Sequence, residues 1–402
     1  MLSFQEALEQ LLAAAQPVEE IRHLPLNAAR GRVLAAAQQA TIDVPPLDNS
    51  AMDGYAVRVA DIAGPGARLP VSQRIIAGSV GEPLAAGTAA RIFTGAPVPA
   101  GADAVIMQER CTVDGEAVCI NAVPRLGDNI RRRGEDMAKG RDILPAGCRL
   151  RAQEIALAAA AGLPTLPVYR RVRVGMFFTG NELVAPGEPL PPGGIYDSNR
   201  YALHALLDAL GCEVRDLGAI PDDLAATCAA LREAADNNDL VLTSGGVSVG
   251  EEDHVKPAVE AEGSLNLWKI AIKPGKPLAF GQIGGVRPAW FVGLPGNPVA
   301  AFVTFLMLVR PFILRLQGVA DVAPKTLTLP AAFTWNRPDA RMEFLRGRIN
   351  AHGQVEIYPN QGSAVLTSLC WGDGLVPNPP QRTVATGDPV AFIGFAELMS
   401  CA

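Results

Sequence analysis

The stretch "LVLTSGGVSVGEEDHVK" (240–256) ends a hydrophobic run in glycines, then sets three consecutive acids before a histidine and a lysine. Gly245, Gly246 and Gly250 permit positive φ and close backbone approach, so amides there can point at an anion. Sterics alone also explain glycines in a tight strand-to-helix turn. The loop fits neither G-x-x-x-x-G-K-[ST] nor G-x-G-x-x-G. Glu251, Glu252 and Asp253 suit the first turn of a helix, whose dipole favours negative charge. That explains two of the three; the functional reading is a hard cation such as Mg²⁺ bridging substrate phosphates. In "WKIAIKPGKP", Lys269, Lys273 and Lys276 gather ammonium groups that can neutralise phosphate or another oxyanion. Lys269 and Lys273 lie an even interval apart, which on a strand is one face. Pro274 and Pro277 forbid helix there; ordinary solvated lysines are the alternative, but in a chain with few lysines the clustering favours function. Glu182 in "TGNEL" and Asp222 and Asp223 in "IPDD" add acids, the last two also suited to a helix N-terminus.

The first half of the chain adds "VPPLDNSAMDGYAVR" (44–58), where prolines force extended backbone around Asp48, Asn49, Ser50 and Asp53. "RRRGED" (131–136) reads as a solvated charge run. No Ser/His/Asp or Cys/His order suggests a covalent nucleophile. The four histidines share no metal-ligand spacing, and the seven cysteines contain no CxxC. Scattered cysteines of this kind are expected in a reducing cytoplasm.

These residues need a scaffold. With 402 residues, 49% of them hydrophobic, the chain predicts two to four domains with ample cores. Lys+Arg 35 against Asp+Glu 41 gives −6, which disfavours nucleic acid as the main partner. The acidic start "MLSFQEALEQLLAAA" is not a signal peptide. The apolar run "PVAAFVTFLMLV" (298–309), closed by Arg310 and Pro311, is too short to span a bilayer and suits a buried helix. Ser3-x-x-Glu6 is a capping box that predicts a helix over 3–15. Residues 16–43 and 141–168 read as further helix, and 44–140 as an inserted β-rich module of short runs between Gly and Pro. From 169 to 320 strands and helices alternate: strands at 171–178, 213–220 and 239–246 and at "NLWKIAI" and "PAWFVGL"; helices at 198–212 and 221–237, and one opened by Asn297 and Pro298. That pattern predicts a parallel, doubly wound sheet. Short strands return from 324 to 402 and fit a small β-barrel. In such a sheet ligands bind at the carboxyl ends of the strands, where "TGNELVAPG", "SGGVSVGEEDH", "KPGKP" and "GLPGNP" all fall. The residues alone therefore predict an α/β protein that binds an anionic small molecule, with Mg²⁺.

In order, "PPLDNSAMDGYAV", "IFTGAPVPAGADAVIMQE", "RRRGED", "TGNEL", "YDSNR", "TSGGVSVGEEDH", "WKIAIKPGKP" and "GLPGNP" closely resemble the molybdopterin molybdotransferase family, MoeA and the gephyrin E domain. The resemblance covers nearly the whole chain. It implies an α/β multidomain protein: a helical N-terminal region (1–43 and 141–168), an inserted β-rich domain (44–140), a doubly wound molybdopterin-binding α/β domain (169–320) and a C-terminal β-barrel (324–402). It implies a homodimer whose active site is shared between subunits, and possible contact with other proteins of molybdenum cofactor biosynthesis. The implied reaction inserts molybdate into adenylylated molybdopterin, releasing AMP, with Mg²⁺. Motif by motif, the implied catalytic residues are Asp53, Asp136, Glu182, Asp253, Lys269, Lys273 and Lys276. Substrate contacts fall to Thr94, Ser198, Ser244, Gly245, Gly246, Ser248, Gly250, Pro295, Gly296, Asn297 and Pro298, with Asp197 and Asn199 on the same edge. Glu182, Asp222 and Asp253 would hold the metal. The chain departs from the family pattern at Asn181, where an Asp is usual, and at Ala364, where a His is expected. Two other readings compete: adenylyl transfer from ATP to molybdopterin, and a non-catalytic scaffold on the same fold.

Overall fold

The computed structural model describes residues 1–246, 254–284 and 288–399. The first helix, Phe4–Ala14, follows from its cap: Ser3 Oγ accepts from the Glu6 amide at 3.2 Å, and the Glu6 carboxylate accepts from the Ser3 amide at 2.8 Å. Residues 16–43 are not the expected helix. Ile21–Pro25 is a strand paired antiparallel with Thr165–Tyr169, and Gln38–Gln39 pairs with Asp142–Leu144. Pro17, Pro25 and Gly31 interrupt any helical ladder there. In the returning segment, helix is confined to Ala152–Ala160, and Gly162 follows at φ +80°.

At the centre is a six-stranded sheet in the order Glu213–Ile220, Arg173–Thr179, Leu240–Ser244, Ala289–Leu294, Pro277–Ile283, Gly263–Lys269. The first four strands are parallel, as the βα alternation predicts. Pro277–Ile283 corrects the all-parallel expectation: it runs antiparallel to both neighbours. Its connections, 270–276 and 284–288, are too short for a crossover and can only join antiparallel strands. The reversal still leaves the "KPGKP" turn on the same edge as the other motifs, since it follows the carboxyl end of Gly263–Lys269.

Both faces of this sheet are buried. Met176, Leu240, Leu242 and Val292 face a core containing Leu203, Leu207 and Phe305, while Phe177, Val241 and Phe291 face one containing Leu231, Val255 and Val259. Alternate residues of each strand thus enter opposite cores, and helices cover both sides. The helix Pro298–Leu316 is the largest piece of the first core. With 19 residues and a mean hydropathy of 1.9 it is long enough to cross a bilayer, unlike the shorter run read from the sequence, but 89% of it is buried inside the protein. It passes through Arg310 and Pro311 instead of stopping at them. The wider π turn Phe305–Val309 precedes Pro311, which cannot donate to a regular ladder.

The β-rich segment between the two halves of the first unit has its own six-stranded sheet, ordered Ala104–Met107, Gly54–Val57, Ala89–Ile92, Ala67–Ile75, Ala117–Ile120, Cys111–Asp114. The C-terminal β-rich unit runs Met342–Ile349, Gly374–Asn378, Pro389–Gly394, Leu327–Pro330, with Val355–Ile357 added to the first. Its first strand also accepts a short strand from the central unit, Ile272–Lys273, in parallel. Among the described residues Cys111, Cys119, Cys148, Cys228 and Cys370 form no disulfide.

Gly175 shows how closely helix and sheet approach. A Cβ there would lie 2.4 Å from the Ala234 carbonyl oxygen and 2.9 Å from Ala234 Cα. Backbone cannot swing away as a side chain can. Gly175→Ala is expected to destabilise the central unit by about 1–3 kcal/mol, read as a lower urea midpoint.

Candidate active site

At the motif-bearing edge of the central sheet lies a cavity of about 630 Å³. It is lined by Thr179 and Glu182 from the first loop, Ser244–Gly246 from the glycine loop, Gly275–Pro277 from the lysine turn and Pro295–Asn297 from the fourth loop. The four loops thus converge as their strand positions require. Asp197 and Asn199, from the start of the helix Ser198–Ala209, and Ser363, from the C-terminal unit, complete the wall. Sequence reasoning missed Ser363; no local pattern marks it, and only the long-range docking of the C-terminal unit brings it there. A separate cleft of about 700 Å³, lined by Arg30, Arg32, Arg151, Arg170 and Arg171, meets none of these loops.

The wall is stapled from within. Asn199 Nδ2 donates to Ser244 Oγ and to the Gly296 carbonyl, both at 2.8 Å, and Ser244 Oγ donates to the Pro295 carbonyl at 2.9 Å. The Ser244 proton is therefore committed to the protein, so toward a ligand this residue supports the wall instead of donating. The Gly245 amide is committed too, to the Leu294 carbonyl at 3.1 Å. Gly245 sits at φ +91° and Gly246 at φ +62°, conformations that side chains other than glycine rarely adopt. Ser198 opens its helix and Pro298 the long one; neither lines the cavity. Asn297 stands at the expected cap position, but its side chain makes no capping bond. Ser248, Gly250, Glu251, Glu252 and Asp253 lie outside the described residues.

Glu182 folds back over Gly180, with carboxylate oxygens 2.7 and 2.9 Å from where a Cβ would stand. Any larger residue at position 180 would displace it. Asn181 Oδ1 accepts from the Asp222 amide at 3.4 Å, joining this loop to "IPDD". Asp223 caps its helix, accepting from the Ala226 amide at 2.8 Å. Among the described residues no group of three His, Cys, Asp or Glu is placed to hold a metal.

The three lysines separate. Lys276 lines the cavity, is exposed and makes no ion pair among the described residues. Lys273 turns to the C-terminal unit, 3.1 Å from Glu343 and 3.3 Å from Asp339. Lys269 is exposed at the strand end and does not line the cavity.

Asp53, Thr94 and Asp136 belong to the β-rich unit and are not on this wall. Asp53 Oδ1 accepts from the Thr94 amide at 2.8 Å and from its hydroxyl at 2.7 Å. Those bonds hold the Asp53 carboxyl below its ordinary pKa. Asp136 is exposed, its amide bonded to the Val44 carbonyl. "RRRGED" is more than a solvated run: Arg132 bonds Asp48 at 2.7 Å and Arg133 bonds Asp43 at 2.6 Å, tying it to "DVPPLDN".

Asp197 is the strained member of the wall. One oxygen caps its helix, accepting from the Arg200 amide at 3.1 Å; the other is buried with no hydrogen-bond partner among the described residues. Burial raises its carboxyl above the usual range. A raised folded pKa destabilises the native state only where the group must ionise, and the penalty vanishes below the unfolded pKa. Asp197→Asn keeps a competent cap. It is expected to be more stable than the parent at neutral pH, with the gain shrinking as pH falls through the carboxylate range; thermal unfolding against pH checks this.

Three family models match the chain: "MoeA N-terminal region (domain I and II)" over residues 2–162, "Probable molybdopterin binding domain" over 175–315, and "MoeA C-terminal region (domain IV)" over 328–395. A molybdopterin molybdenumtransferase of Haemophilus influenzae is 40% identical, covering 99% of this chain and all of its own length. One from Nostoc is 42% identical over 73% of this chain and 69% of its own. A molybdopterin biosynthesis MoeA protein structure from Pyrococcus horikoshii has a TM-score of 0.80 at 32% identity, covering 98% of this chain and 99% of its own. With the cavity formed where the sheet edge predicts and similarity running the whole length, the chain belongs to the MoeA, or molybdopterin molybdenumtransferase, family.

Proposed function

We propose that this chain is the molybdopterin molybdenumtransferase of molybdenum cofactor biosynthesis, a transferase that inserts molybdate into adenylylated molybdopterin and releases AMP. One observation carries this: the full-length similarity to a molybdopterin molybdenumtransferase extends through every motif that lines the cavity. The cavity chemistry supports it. Cleaving the bond to AMP builds negative charge on phosphate oxygens, and molybdate brings two more charges. Lys276, unpaired among the described residues, faces that charge directly and would stabilise it most where water is excluded. The Ser244–Asn199–Gly296 staple holds the wall so that no loop must reorganise as the charge develops.

Mg²⁺ fits the acidic side. Glu182 makes no ion pair among the described residues, and it and Asp222 sit on loops joined by Asn181, offering the hard oxygen donors that this ion selects. With Asp253 they would hold the ion, which when bound offsets phosphate charge. Asn181 in place of an acid leaves one formal charge fewer on that side. Molybdate and adenylylated molybdopterin are substrates and not resident groups.

Asp53, Thr94 and Asp136 stand off the cavity wall of their own chain. We therefore read the active unit as a homodimer in which they complete the partner's site, in a cytoplasmic protein of four units with the boundaries expected from the sequence. Transfer of cofactor to other biosynthetic proteins belongs to the same reading. Adenylyl transfer and a scaffold role remain competing outcomes of the test.

Purified protein given adenylylated molybdopterin, molybdate and Mg²⁺ is expected to release AMP in step with cofactor formation, and a chelator is expected to stop it. ATP-dependent adenylylation of molybdopterin, or no AMP at all, would refute the assignment. Asp53→Ala and Lys276→Met are each expected to lose about 10²-fold in rate. Mixing the two variants is expected to restore part of it, because some mixed dimers keep one intact site.

A further inference from the structure

The lysine turn is fixed by the C-terminal unit, and this is where that unit enters the chemistry. The chain leaves the central sheet after Lys269 and re-enters it at Pro277. Between, Ile272–Lys273 joins the C-terminal sheet, with Lys273 in register opposite Glu343. Glu343 is fully buried. Its Oε2 accepts from Trp335 Nε1 at 2.8 Å and Asn378 Nδ2 at 3.2 Å; its Oε1 meets Lys273 Nζ at 3.1 Å. Asp339 takes the fork of Arg341 at 2.8 and 2.9 Å and stands 3.3 Å from the same ammonium. Those bonds push the Asp339 carboxyl well below its ordinary range.

Two cations and two carboxylates cancel in this cluster. Trp335 and Asn378 are neutral donors, so among the described residues Lys273 is the one cation in contact with Glu343. A carboxylate removed from water needs such a partner, and breaking the pair from either side leaves a buried charge uncompensated. Lys273 is thus held. Three residues later comes Lys276, on the cavity wall. The path between them is short and stiff: Pro274 fixes φ, Gly275, at φ +105°, packs where a Cβ would stand 2.8 Å from Thr304 Oγ1, and Pro277 directly after Lys276 restricts that residue's backbone.

We propose that Glu343 is a positioning residue for the reaction: by gripping Lys273 it sets the Lys273–Lys276 turn and so presents the Lys276 ammonium to the substrate anion. The proposal rests on the transferase reading for its consequence but not for its geometry. Lys273 itself is spent on the grip.

The test pairs Glu343→Gln with Lys273→Met in a double-variant cycle on AMP release. Each single variant is expected to lose about tenfold in kcat/KM, and the double variant to be no slower than Lys273→Met alone. Losses that multiply would mean Glu343 acts only through general stability, and would overturn the proposal. Glu343→Asp, which keeps the charge, is expected to recover part of the loss. A second readout needs no substrate, and its first arm needs no substitution. Under trace acetic anhydride, followed by mass spectrometry of the native chain, Lys276 is expected to react about tenfold faster than Lys273. In Glu343→Gln the two rates are expected to converge. Equal labelling in the parent would overturn the grip. If the parent released no AMP, the transferase reading would fall, while labelling would still decide whether Glu343 holds Lys273.

Discussion

The site depends on the burial of both faces of the central sheet. Met176 and Phe177, Leu240 and Val241, Phe291 and Val292 are neighbours in sequence that enter different cores. A slip of one residue in any strand would exchange the two sets and leave every side chain in the wrong core. Register is therefore held from both sides, and with it the height at which each strand ends. The loops around the cavity inherit their positions from those ends. Little in the loops themselves is regular enough to place them.

A second layer of constraint is polar. Asn199 binds two loops at once, and Asn181 joins the glutamate loop to the "IPDD" helix start. The ammonium of Lys273 reaches across to a different sheet. Each bond is worth only about 0.5–3 kcal/mol, so none stabilises the fold by itself. Their effect is directional: they remove the freedom of segments that the apolar cores leave undetermined. Asp197 is the place where that arrangement runs at a cost, since one of its oxygens is buried without a donor among the described residues.

Much of this was legible in the sequence. The capping box at Ser3, the strand at 213–220 and the helix opened by Pro298 rest on local rules, and they stand where those rules put them. The convergence of four loops followed from strand order alone. What failed did so for non-local reasons. Pro277–Ile283 was hidden because "PLAFGQI" has no turn signal of its own, and its omission made the sheet look all parallel. Within 16–43, Ile21–Pro25 and Gln38–Gln39 are instead taken up by pairing with Thr165–Tyr169 and Asp142–Leu144, more than a hundred residues away. In "WKIAIKPGKP" the three lysines look equivalent; only the position of Glu343, 70 residues further along the chain, distinguishes Lys273 from Lys276.

The Val299 amide, at the start of the long core helix, donates to the Ser363 carbonyl at 2.9 Å. That bond answers one of the open amides of a helix beginning in the middle of the protein. Together with the Ile272–Lys273 strand it makes the last eighty residues a graft and not an appendage. A chain shortened before them would bare an edge strand and a helix start at the same time. Gene fusions and truncations that treat this end as a detachable module would therefore damage the opposite end of the molecule's chemistry.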